Sequence, residues 1–562
     1  MKRLIVIIHS VILMVGFRDN AISQNLGNLE VINNANYDPI IKEAVKLDER
    51  PEIVDTVKRI AKNNYSSPRI AYPVHYTATS IAPAKMLNEP LGKLYQSFIK
   101  AGAGNYNMPM AELYINSTRS RDLNWGMNYK FLSSHATFAN MGSTDFSDNL
   151  LNLHATKFYK KHTLTGEFNY SRNVIHYYGF SDTAFKNVNP DSYRQVFQLF
   201  EGKTKLVSHY ADTGKALNHE VRLNYYNYGD FYNTFENNIL ASGMISKYKD
   251  QAKFNLPVSA DFYNLHSAHD TFNNAIIRVS PFVEGGSGKT WKADVGVNTA
   301  IDYFSGRTTK YYFYPRFNIS YNIYQNMIVP YAGLSGGLDK NSFRSLSSFN
   351  PFVMSNLNYQ NTNNKYNVFG GLRGVLSNRT SYDVKALYGR YDNMAFYLAD
   401  YTQGSDNVLA NKYKVIYMGT NFLNVNAQIS YRFREKLRLM AKGNYYGYKT
   451  DSTGSLPWHK PNYDLTFSGF YNLKNKFVLR ADVFVIGNQW ALQGNIKNGV
   501  TTSQAVQLRG ITDINLGIEY RYTKFLSAFI NFNNIGNFSY YRWDKYPTQR
   551  FNAMVGLTFI PF

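Results

Sequence analysis

Residues 551–562 read Phe551-Asn-Ala-Met-Val-Gly-Leu-Thr-Phe-Ile-Pro-Phe562. Phe551, Ala553, Val555, Leu557 and Phe559 fall on one face, and Asn552, Met554, Gly556 and Thr558 on the other. A period of two marks a β-strand with one apolar side. A strand of roughly ten residues is long enough to cross the hydrocarbon of a bilayer when tilted. The stretch therefore predicts a transmembrane β-strand, and such strands exist only in closed barrels, because an open sheet edge in lipid leaves backbone polar groups unpaired.

Composition agrees with that reading. The chain has 562 residues, 44% hydrophobic and 16% aromatic, with 47 Tyr and 38 Phe. Its mean hydropathy is −0.38, and no run of eighteen or more apolar residues occurs, so a spanning helix is not expected. A barrel is compatible with both facts, because lumen-facing polar residues alternate with lipid-facing apolar ones and average the hydropathy away. The tyrosine excess fits the interfaces of a membrane, where an amphipathic ring is at home.

Residues 1–23 have the form of a secretory signal: Lys2 and Arg3, an apolar stretch over 4–17, then Ala21 and Ser23 at the spacing of a signal-peptidase site before Gln24. The chain contains no cysteine, which excludes disulfides, a lipidated cysteine, thiolate zinc sites and cysteine nucleophiles. Net charge is +22. No basic run or nucleic-acid motif accompanies it, so nucleic acid is not an expected partner. Anionic lipid headgroups, anionic solutes in a lumen and a merely solvated surface all fit that sign.

Residues 24–93 are rich in Asn, charge and proline (Pro39, Pro51, Pro68, Pro73, Pro83, Pro90). A short helix is expected over 53–63, and the segment is read as a periplasmic leader or a small lumen-inserting piece. Residues 94–562 read as one antiparallel up-and-down barrel. Ile514, Leu516, Ile518, Tyr520 and Tyr522 oppose Asp513, Asn515, Gly517, Glu519 and Arg521. Phe477, Leu479, Ala481, Val483 and Val485 oppose Val478, Arg480, Asp482 and Phe484, and Ala427, Ile429, Tyr431 and Phe433 oppose Gln428, Ser430, Arg432 and Arg434. Charge facing lipid near the midplane is costly, so the charged sets must line a polar lumen. Three turns share one form, Tyr, an apolar residue two on, a tight polar turn, Lys, then Leu or Phe; they end on Lys436, Lys476 and Lys524. Such short turns belong on the periplasmic side, and the longer polar stretches 448–462 and 488–508 are expected as extracellular loops. At roughly 21 residues per strand plus connection, the barrel should hold about 18–22 strands, with 22 favoured and the number even.

A longer pattern carries a resemblance. Residues 516–543 (Leu-Gly-Ile-Glu-Tyr-Arg through Asn534-Ile-Gly-Asn to Tyr-Arg-Trp543), then Tyr546-Pro547 with Arg550, then Val555-Gly-Leu-Thr-Phe559, resemble the end of the barrel in TonB-dependent receptors of Bacteroidetes. The leader phrases at 37–46 and 51–55 resemble exported barrel proteins of the same group. The resemblance implies an aromatic C-terminal residue that the barrel-assembly machinery reads, a place in the cell outer membrane among phospholipid and lipopolysaccharide, and a periplasmic or envelope protein partner. It also departs from the family: no plug motif is recognisable before the first strand, so energised uptake is not carried over.

Few residues stand at spacings that chemistry requires. His266 and His269, beside Asp270, have no third ligand at metal spacing. His219 and Glu220 are adjacent on a strand and point to opposite faces. Residues 283–290 (Val-Glu-Gly-Gly-Ser-Gly-Lys-Thr) resemble a phosphate loop, but the upstream glycine spacing is wrong and no βαβ unit surrounds it, so they read as a hairpin turn. No catalytic, cofactor-binding or metal residue is singled out, no cofactor is expected, and the chain is read as a non-enzyme, an embedded hydrolase being the weakest alternative. The leading expectation is a barrel that binds or passes a solute through a polar lumen. The alternative is a structural or assembly subunit of an outer-membrane envelope complex.

Overall fold

The computed structural model describes residues 94–562, apart from 140, 181–187, 211–214, 268–269, 289, 401–410, 453–454, 498–499 and 562. The expected signal (1–23), the leader (24–93) and the terminal Phe562 lie outside the described residues.

Alternation produces the expected sheet. Each strand pairs antiparallel with the next, and the strand Ser97–Gly104 pairs with Asn552–Phe559, Ile99 opposite Phe559 and Ala103 opposite Val555, which closes the ring. The main sheet has 23 strand segments. Thr271–Val279 and Phe282–Gly286 are halves of one strand, since both pair with Ala252–His266 and both with Trp291–Phe304. The barrel therefore has 22 strands. The break falls at Pro281, which has no N–H to give the ladder. Its carbonyl instead accepts from Val297 N at 3.1 Å. Gly296 faces this kink, where a Cβ would come within 2.3 Å of the Pro281 carbonyl oxygen.

The two faces segregate as the sequence predicts. Val555, Leu557 and Phe559 are 55%, 56% and 45% exposed on the outer surface, where lipid rather than water covers them. Val483 pairs with Ile514 on that face, and Asp482 with Asn515 on the inner one. The lumen wall is a ladder of polar cross-strand contacts: Asn128 donates to Asn152 at 2.9 Å, Asn152 to Asn169 at 2.6 Å and Asn169 to Glu201 at 3.2 Å. Farther round, Asn426 donates to Asn444 at 2.7 Å, Asn444 to Asp464 at 2.8 Å and Ser468 to Asp482 at 2.6 Å. Each bond satisfies a side chain that would otherwise be desolvated in the wall, a net gain of about 1 kcal/mol apiece.

The short turns form as expected. Lys436 N donates to the Phe433 carbonyl at 3.3 Å and Lys476 N to the Leu473 carbonyl at 3.0 Å, and Thr523 N to the Leu526 carbonyl at 3.0 Å. Arg434, Lys474 and Asn475 take the left-handed conformation (φ 50°, 51° and 57°) that such tight reversals require. The stretch 488–508 differs from the expected loop. It is a hairpin, Gln489–Lys497 against Val500–Leu508, in a sheet of its own. At this end the strands Thr380–Ala399 and Tyr413–Phe433 run to 20 and 21 residues, about twice the length a bilayer needs, so they project beyond it.

An even strand number puts Ser97 and Phe559 at the same end as the short turns, the end that faces the periplasm in barrels of this kind. Cysteine in place of Lys476 should accordingly stay unlabelled by an impermeant maleimide on whole cells, and cysteine in place of the exposed Ser452 should be labelled. The reverse pattern would invert the assignment.

Candidate functional site

The long-loop mouth holds the largest buried cluster in the described residues, and it starts from a helix. Ser342 and Ser345 form a reciprocal capping box that opens the helix Phe343–Phe349. Phe343, Leu346 and Phe349 recur at a spacing of three, and Phe343 and Leu346 are 0% and 2% exposed. The helix lies inside the mouth, held to the wall by charge. Lys340 Nζ is 3.0 Å from Asp261 and Arg344 Nη1 is 2.9 Å from Glu201. The Arg344 guanidinium also lies 4.4 Å from the centre of the Tyr226 ring. Tyr397 OH donates to the Leu346 carbonyl at 3.3 Å, and the Tyr228 and Ser347 hydroxyls share a 2.8 Å bond.

Other long connections fold onto it. Phe352 stacks on Tyr546 with ring centres 3.6 Å apart, and Trp543 packs edge-on against Tyr397, Tyr413 and Phe349 at 5.4, 5.5 and 5.8 Å. Pairs of this kind contribute about 0.5–1.5 kcal/mol each beyond their buried area. Hydrogen bonds then lock the connections together. Tyr177 OH donates to the Val353 carbonyl at 2.9 Å, Gln195 Nε2 donates to Tyr177 OH at 3.0 Å and to Asp230 at 3.1 Å, and Tyr413 OH donates to the Asp544 carbonyl at 2.7 Å. Tyr546 OH donates to the Asn411 carbonyl and Ser355 OH to Asp230. The cluster joins Phe197, Tyr228, Leu265 and Phe304 on one arc of the wall to Tyr397 and Val415 on another. It is a cap across the mouth.

Burial sets the protonation of the cap. Burial raises the Asp230 carboxyl above its ordinary range, against the pull of its hydrogen bonds. It pushes the His459 imidazole down to about 3, so this ring, with its centre 5.2 Å from Tyr413 and 5.1 Å from Trp543, is neutral at physiological pH. Burial also lowers the Lys460 ammonium to about 8. Its place 4.4 Å from the centre of the Phe349 ring works in the opposite sense, by favouring the charged form.

Beside the cap lies a cleft of about 980 Å³ lined by Phe180, Gln507, Arg509, Phe538, Tyr540 and Asp544, among others. Gln493 donates to Asp544 at 2.7 Å, and Tyr540 OH donates to Asp513 at 2.6 Å. Aromatic walls with both signs of charge in a space of this size suit a small organic solute.

The residues weighed from sequence do not gather here. His266 Nδ1 is 2.9 Å from Thr271 Oγ1, and its ring packs 4.8 Å from Phe235; His269 lies outside the described residues. No group of three potential metal ligands occurs among the described residues. Glu220 faces the lumen, paired with Lys205 at 3.4 Å and with Arg222, while His219 packs with His162 at 5.4 Å on the other side of the strand. Within 283–290, residues 283–286 belong to the strand Phe282–Gly286, and the turn follows it, with Ser287 Oγ accepting from Thr290 N at 3.0 Å; Lys289 lies outside the described residues. Tyrosine, read from composition as interfacial, divides between two places. Tyr303, Tyr311 and Tyr522 are exposed on the outer surface and the short-turn rim, whereas Tyr177, Tyr228, Tyr413 and Tyr546 are buried in the cap. The cap was missed from sequence, although Ser342-x-x-Ser345 with apolar residues every third position is a legible helix start.

No family model and no curated protein sequence matches this chain. Solved structures do. The pyoverdine outer membrane receptor FpvA of Pseudomonas aeruginosa aligns over 84% of this chain and 79% of its own, with a TM-score of 0.61 at 13% identity. The FrpB iron transporter of Neisseria meningitidis aligns over 84% and 82%, with 0.64 at 8%. A mutant of the ferric enterobactin receptor PfeA of P. aeruginosa aligns over 82% and 80%, with 0.60 at 11%. At such identities the likeness establishes the fold, and the resemblance of the C-terminal third to receptor barrels holds at that level. With a closed ring of 22 strands, an apolar outer surface and a polar lumen, the chain is a β-barrel of the cell outer membrane.

Proposed function

We propose that the barrel is a gated receptor that binds a solute in the cleft beside the cap and passes it through the polar lumen. The cap carries this reading: a mouth bridged by a packed aromatic cluster is unsuited to free diffusion, so passage must follow rearrangement of the connections. A ligand that binds the moved connections better than the resting ones would supply that shift. The solved neighbours are named as receptors and a transporter, which supports transport over catalysis. Two of them are named for pyoverdine and ferric enterobactin, so ferric chelates are the first solutes to test.

Trp543 sits in the cap and gives an intrinsic probe. Titration of the purified protein with ferric chelates should quench tryptophan fluorescence saturably, and the double variant Tyr540→Ala/Arg509→Gln should weaken binding about tenfold, the equivalent of 1.4 kcal/mol. A flat response across a broad solute panel, with an envelope protein copurifying in stoichiometric amount, would replace this reading by that of a structural subunit.

A further inference from the structure

A strand edge beside the cleft has no strand to pair with. In Ile511–Arg521 the backbone N–H and C=O of alternate residues point to opposite neighbours. Arg521 N donates to the Lys476 carbonyl at 2.8 Å, and the Ile514 carbonyl accepts from Ile535 N at 2.9 Å. Odd residues therefore face Phe477–Ile486 and even residues face Leu526–Asn533. Beyond Ile514 that second neighbour is lost. Its chain turns off at Asn534, which has a φ of 49° and donates its N–H to the Asn515 side chain at 2.9 Å. Thr512 is the next even residue and lines the cleft. Its N–H and C=O point to that vacated side and have no partner among the described residues. Past Gly510 the strand Val500–Leu508 pairs with Gln489–Lys497 alone, and its Gln507 and Leu508 line the same cleft.

The cleft also holds an incompletely bonded acid. Asp544 is 4% exposed. Gln493 donates to its Oδ1 and Tyr413 OH to its carbonyl, whereas Oδ2 has no hydrogen-bond partner. Burial raises this carboxyl above its ordinary range, and the adjacent Lys545 works against that rise. An ammonium group brought to Asp544 would act in the same sense as Lys545. Phe180, Phe538, Tyr540 and Tyr541 supply aromatic walls, and the exposed Arg509 suits a carboxylate.

We infer that the solute of this cleft is a short extended peptide, which adds a strand to the Thr512 edge and sets its ammonium group against Asp544. The inference rests on the reading of the cleft as the solute site. An unpaired edge offers donors and acceptors at strand spacing, and a peptide main chain carries the complementary series. Pairing of this kind gives affinity, and the walls around it select side chains. An acyl chain would leave both groups of Thr512 unpaired.

The test incubates the purified full chain with a pool of random lysine-free hexapeptides, mass spectrometry counting those retained after gel filtration. The wild type should retain them. A pool methylated at every backbone nitrogen cannot donate to the Thr512 carbonyl and should be held about tenfold less. Thr512→Pro removes the edge N–H, leaves the ladder to Phe477–Ile486 intact and should weaken retention similarly, with normal heat-modifiable gel mobility. Acetylation of the peptide amino termini should lower retention by the wild type and have no further effect on Asp544→Asn. Equal retention of the plain and methylated pools by the wild type overturns the inference. Saturable quenching of Trp543 by a ferric chelate with no peptide retained also overturns it and leaves the receptor reading standing. Failure of peptides and of the whole solute panel alike overturns both.

Discussion

Arginine in place of Leu516 is expected to destabilise the barrel by about 2–4 kcal/mol, because it drives a guanidinium into lipid near the midplane. Leu516 pairs with Ala481 on one side and Phe532 on the other, a row that faces outward. Arginine in place of Asp482, one row away on the inner face, should cost about 1 kcal/mol, the value of the hydrogen bond from Ser468. The new charge there joins a polar inner face that already carries Arg480 and does not enter lipid. Urea unfolding followed by heat-modifiable gel mobility compares the two. Equal losses would mean that the strands do not stand in a membrane, and the barrel reading would fall with them.

Phe343→Ala is expected to open the cap without unfolding the ring. The side chain is fully buried in the described cluster, and removing an aromatic ring from such a site costs about 3–5 kcal/mol. That loss falls on a connection that is not part of the barrel sheet, whereas the ring is held by strand pairing. Conductance in planar bilayers should rise from a closed baseline to a steady open level, with gel mobility unchanged. Arg344→Gln should act in the same direction but more weakly, since Glu201 keeps Lys203 at 3.0 Å. A Phe343→Ala variant as silent as the wild type would show that the cluster does not gate the mouth.

The sequence by itself determined the strands, their inner and outer faces, the tight turns and the order of an up-and-down ring. Each of these is a local property. A period of two assigns a side chain to a face whatever lies elsewhere, and the cost of charge in lipid then says which face is outward. The cap belonged wholly to the tertiary structure. Its contacts join Tyr177 to Val353, Arg344 to Glu201 and Tyr413 to Asp544, which are 176, 143 and 131 positions apart. No periodicity links such residues; closure of the ring brings their connections to one mouth, where aromatic side chains with no lipid to face bury one another.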